Sequence, residues 1–150
     1  MTTMKRYLLS TAAVLGGLLG QMFGGWSAAF GTLLVCMAVD YATGMLVAGV
    51  FHASDKTAGG GLESRAGWKG LCRKGVSMLI VLVAHRLDCA LGTASVREAV
   101  IVGYTANEVL SIVENAGLMG VPVPQALRHA VEALQGKEEQ DGDPHQAGET

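Results

Sequence analysis

A chain of 150 residues, half of them hydrophobic and only 16% charged, has too few ionic groups to coat a soluble globule, in which about a quarter of residues are charged. Its net charge of −2 says little about partners because the charges are segregated, with none between Arg6 and Asp40. Its three cysteines, Cys36, Cys72 and Cys89, have no CxxC spacing, which argues against a disulfide framework and gives a metal cluster little support.

Lys5 and Arg6 open the chain, and residues 7–23 follow as an apolar run broken only by Ser10, Thr11 and Gln21. The run exceeds the about 7–15 residues of a signal-peptide core. It leads into Trp26 and further apolar sequence, so it reads as a first membrane span. Gly16, Gly20 and Gly24 share one face of it, which suits close helix packing. Gly24-Gly25 is a break, with Trp26 at an interfacial position. Residues 26–51 form a second span with one charge, Asp40.

Residues 52–74 read as a polar loop containing Gly59-Gly60-Gly61 and the basic residues Lys56, Arg65, Lys69, Arg73 and Lys74. Residues 75–92 form a third span, with His85, Arg86 and Asp88 in its second half. After a turn at 93–95, residues 96–119 make a fourth, amphipathic segment, stopped by Gly120-Val-Pro-Val-Pro124. Pro124 begins a short amphipathic helix to Leu134, with Leu127, Val131 and Leu134 on one side. Residues 135–150 are an acidic tail read as disordered.

The expected fold is therefore an all-α integral membrane protein: residues 1–134 form a membrane helical domain of four spans, or three if the fourth segment lies along the interface. The basic residues before the first span and between the second and third place both termini and that loop in the cytoplasm. The location is the bacterial inner membrane. The basic loop is a topology signal and offers cations to anionic lipid headgroups.

On a helix, Tyr104, Asn107, Glu108, Ser111, Glu114 and Asn115 recur at steps of three and four and form one polar stripe. Glu108 lies roughly 18 Å in from the Thr93 turn at 1.5 Å per residue, within an apolar core of about 30 Å. A carboxylate at that depth needs water or a partner. The stripe reads as a pore wall or an interface that becomes one, against the alternatives of an interfacial helix or a stripe satisfied inside the bundle. Asp40 reads as a partner for a basic group or as a paired structural carboxylate. His85 and Cys89 stand one turn apart without the further ligands that zinc requires. His85, Arg86 and Asp88 are therefore expected to pair ionically across the turn with Arg97 or Glu98. No catalytic constellation, phosphate loop, cofactor motif or nucleic-acid partner is assigned.

The pieces Asp40-Tyr-x-Thr-Gly44, Gly67-x-Lys-Gly-x-x-x-Lys74, His85-x-x-Asp88, Arg97-Glu-Ala-Val-Ile, Tyr104-x-x-Asn-Glu108, Ser111-Ile-x-Glu-Asn115 and Gly120-Val-Pro-Val-Pro124, taken in order, resemble the phage holin family of the toxin-secretion and phage-lysis type. The likeness runs from Val35 to Leu134. The Gly-rich insertion before Ser64 and the acidic tail depart from it. The resemblance implies a non-enzymatic membrane protein that oligomerises with itself in the bilayer and forms lesions that let a peptidoglycan hydrolase or toxin leave the cell. Two other classes stay open: a small ion-coupled transporter using Asp40, His85 and Glu108, and a non-conducting, antiholin-like regulator.

Overall fold

The computed structural model describes residues 2–56, 59, 61–127, 129, 130 and 133. Four helices follow one another: α1 (Thr2–Met22), α2 (Ala28–Leu46) continued by a π-helical turn (Val47–Phe51), α3 (Ser64–Leu91) and α4 (Ser95–Leu118). No strand occurs among the described residues.

Local chemistry sets the helix ends. Gly24 and Gly25 both take positive φ, 84° and 90°, which glycine adopts without a Cβ penalty, and α1 stops there. Ser27 then caps α2, its Oγ accepting from the Phe30 N–H at 3.1 Å. Gly92, at φ 69°, ends α3, and Gly120, at φ 73°, ends the α4 region. The Val121 N–H returns to the Ala116 carbonyl at 2.9 Å, and the following prolines cannot continue the helix.

One expectation is corrected. The basic run is not a loop: from Ser64 onward it is helix, so Arg65, Lys69, Arg73 and Lys74 all lie on α3 and only Lys56 stays in the connection. Arg and Lys are good helix formers, and the interior glycines at 67, 70 and 75 each cost only about 1 kcal/mol relative to alanine, less than the packing of α3 returns. Past Pro124, residues 125–127, 129, 130 and 133 are helical. Val131, Leu134 and the tail from 135 lie outside the described residues.

Helices α2, α3 and α4 pack together, with α2 against α4 the most extensive pairing. Phe30, Leu33, Met37, Val81 and Ile101 form the buried centre, flanked by Phe23, Leu34, Met78, Val100 and Tyr104. The outward faces are apolar as well: Val35, Val39, Leu79, Val83 and Leu87 are all exposed, while Asp40, Asp88, Arg97 and Asn115 are buried. A protein in water has no reason to invert its surface in this way; a bundle solvated by lipid does. By length and apolarity, Ala28–Phe51, 24 residues, is long enough to cross a bilayer.

The α1 glycine face does not receive a helix. It receives side chains: the Trp26 indole donates to the Gly16 carbonyl at 3.3 Å and lies against Gly20, and the His85 ring covers Gly24. The rest of α1 projects exposed Leu8, Leu15 and Leu18.

Candidate functional site

Asp40 on α2, Lys74 on α3 and Glu108 on α4 meet inside the bundle. Lys74 stands 34 residues from each of the other two, so three helices each bring one charged group to the same place. Its Nζ donates to Asp40 Oδ2 at 2.8 Å and also to Glu108 Oε2. The other Asp40 oxygen, Oδ1, accepts from Asn115 Nδ2 at 3.1 Å. The same amide lies 3.0 Å from Thr43 Oγ1, and Thr43 Oγ1 donates to the Asp40 carbonyl at 3.0 Å. Asp40 is thus satisfied from both sides. The cluster as a whole holds two carboxylates and one ammonium, charges that in an apolar surround are tolerable only when paired and hydrogen-bonded.

An open cleft of about 530 Å³ runs along the α3–α4 side of this cluster and is lined by Ser77, Asn107, Glu108, Ser111 and Glu114 together with basic groups of α3. The α4 polar stripe is therefore divided. Glu108 and Asn115 point to the ion cluster, Ser111 lines the cleft, Asn107 and Glu114 are exposed at its rim, and Tyr104 packs against the apolar core. Within one chain Glu108 and Asn115 of the stripe are paired internally.

A second polar cluster holds the opposite end together. Asp88, near the end of α3, accepts from the Val96 N–H at 3.1 Å and the Arg97 N–H at 2.8 Å, which caps the first turn of α4. Thr93 Oγ1 donates to it at 2.5 Å. The Arg97 guanidinium lies 5.5 Å over the Phe30 ring and donates to the Gly25 carbonyl at 3.0 Å, tying the α1–α2 turn to α4.

The expected ionic pairing across the Thr93 turn takes a different form. Asp88 engages backbone amides of α4, because the tight turn brings its carboxylate under the exposed N–H groups of the helix start. Arg97 pairs with its neighbour Glu98 at 2.8 Å. Arg86 is exposed and joins no ion pair among the described residues. His85 Nε2 sits 3.7 Å from Cys89 Sγ.

Sequence reasoning assigned Lys74 to the loop and missed it as the partner of Asp40 and Glu108. The signal was present: two carboxylates at membrane depth call for a cation, and Lys74 is the basic residue nearest the apolar part of its segment.

The profile of the bacteriophage holin family matches residues 17–136. An uncharacterized protein of Halalkalibacterium halodurans is 36% identical over 141 residues, covering 90% of this chain and 98% of that one. A Clostridium perfringens protein encoded in the nagH 3' region is 36% identical over 125 residues, covering 82% of this chain and 89% of that one. The probable holin of Bacillus phage phi105 is 32% identical over 109 residues, 72% of this chain and 75% of its own. No solved structure matches.

Proposed function

The chain belongs to the bacteriophage holin family, and on that premise we propose that it is the membrane-permeabilising component of host-cell lysis. It accumulates in the cytoplasmic membrane as a four-span bundle with both termini inside. It then assembles with copies of itself into lesions through which a peptidoglycan hydrolase or toxin leaves the cell. It performs no catalysis.

The observation that carries the mechanism is the Asp40–Lys74–Glu108 cluster. With its charges paired internally, a single bundle rests in lipid at tolerable cost. The pairing joins three different helices, so separating them exposes Glu108 and Ser111, which join the already exposed Asn107 and Glu114 in a ready-made polar wall. Water in an oligomeric lesion then solvates what the bundle had paired. Size requires the oligomer: a folded hydrolase of about 200 residues has a radius of gyration near 16 Å, and four helices cannot enclose such an object.

The test is induced expression with and without a co-expressed cytoplasmic peptidoglycan hydrolase. The expected result is an abrupt stop in growth, leakage of large dyes, and lysis only when the hydrolase is present. Continued growth with membrane potential intact at high expression would overturn the reading. Leakage confined to small ions would point to a transporter.

A further inference from the structure

We propose that the mouth of the α3–α4 cleft is a binding site for an anionic phospholipid with a hydroxylated headgroup, of the phosphatidylglycerol type, with Lys69 and Arg73 as its phosphate-binding residues. The argument begins with length. Helix α3 has 28 residues and α4 has 24, so α3 is about 42 Å long against an apolar layer of about 30 Å. The Asp88 cap locks the end of α3 to the start of α4. The surplus, about eight residues, therefore falls at the Ser64 end and lifts Arg65, Trp68 and Lys69 into the headgroup zone. Trp68 is 67% exposed there, where an interfacial aromatic belongs.

Lys69 at that level, Arg73 one turn below it and Lys56 line the cleft, and Glu114 is the one carboxylate there outside the Asp40–Lys74–Glu108 cluster. Three cations against one carboxylate, set beside a cluster with one carboxylate in excess, leave the cleft lining with a net charge of one positive unit, carried by the basic groups of α3 and Lys56. Among the described residues neither Lys69 nor Arg73 makes an ion pair. A guanidinium presents a planar fork that matches a phosphate, and a lysine one turn away adds a point charge. Behind them, the Asn107 amide offers donors and an acceptor for headgroup hydroxyls, the Ser77 oxygen, whose proton goes to the Arg73 carbonyl at 3.2 Å, offers an acceptor, and Leu110 is the apolar member of the lining. Most of the lining lies on the neighbouring helices α3 and α4, so a lipid that enters between them does not leave the bilayer.

The site rests on the membrane placement proposed above, and the experiment separates the two. Full-length protein carrying Trp26→Phe, which leaves Trp68 as its single tryptophan, is reconstituted in phosphatidylcholine vesicles. A minor fraction of brominated phosphatidylglycerol or brominated phosphatidylcholine is added, and Trp68 quenching is read. The expected result is stronger quenching by the anionic lipid, reduced about fivefold in preference for each cation removed in Lys69→Gln and Arg73→Gln, and unchanged in Arg65→Gln, which does not line the cleft. Equal quenching by both lipids overturns the site while leaving the membrane placement intact; no quenching by either overturns both. Loss in Arg65→Gln equal to that in Arg73→Gln means general surface charge and overturns the site, as does displacement of the preference by inorganic phosphate, which would identify a free-anion site.

Discussion

Lys74 Nζ lies 2.8 Å from Asp40 Oδ2, and this contact turns a topology signal into part of the protein's interior. Removing it as Lys74→Met leaves the buried Asp40 and the half-buried Glu108 without their cation. Deleting one member of a buried ion pair costs about 3–5 kcal/mol. The expected outcome is a sharp fall in folded, protease-resistant protein in membranes. The triple variant Lys74→Met, Asp40→Asn, Glu108→Gln removes the orphaned charges and should recover most of the resistance. No recovery would mean that Lys74 acts through something other than charge.

Glu108 distinguishes a wet wall from a permanent dry contact. Glu108→Gln keeps size and a hydrogen bond to Lys74 but removes the surplus negative charge, so lysis should shift in onset and persist. Glu108→Leu inserts but places an apolar group in the proposed wall and should abolish lysis. Val109→Leu, off the stripe, is the control. Lysis onset at matched membrane levels is the measurement; wild-type onset for Glu108→Leu excludes the stripe as a pore wall.

Asn115 binds Asp40 and Thr43 through one amide. Asn115→Ala removes these contacts and leaves Asp40 Oδ1 short of a donor, an expected loss of about 1–3 kcal/mol. Asn115→Asp sets a second carboxylate against Asp40 and should cost more. Thermal unfolding in detergent ranks the two, and the reverse order would mean that Asp40 is not held as drawn.

Gly24 combines a φ of 84° with a ring of His85 that would stand 2.6 Å from an added Cβ. Gly24→Ala therefore incurs both backbone strain, of order 1–3 kcal/mol, and a steric conflict. His85→Ala in the same chain relieves only the second, giving partial rescue. Gly16→Ala meets nothing within 4 Å and should be close to neutral. The same unfolding assay reads all three.

The topology is open to a direct reading. A reporter fused after Leu134 should behave as cytoplasmic if the Lys and Arg of α3 and the N-terminus set the orientation of the proposed four spans. A periplasmic signal there would leave three spans.

The sequence alone determined that this chain is helical and built for lipid, that its helices break at Gly24-Gly25, Gly92 and Gly120, and that α4 bears a polar stripe. These follow from composition, glycine and proline positions and the period of an α-helix, all of which are local. It also carried enough motif order to identify the family. What only the tertiary structure decided is where each charge goes. Lys74 left the loop because residues 64–74 continue a helix whose stability comes from packing against α4, which no local propensity encodes. Asp88 turned to the backbone of α4, not to the Arg97 side chain, because the Thr93 turn places amides nearer than the guanidinium. The division of the stripe, with Glu108 and Asn115 inward and Asn107 and Glu114 at the rim, depends on how α4 is rotated between α2 and α3. Periodicity defines a face; only the neighbouring helices define what that face meets.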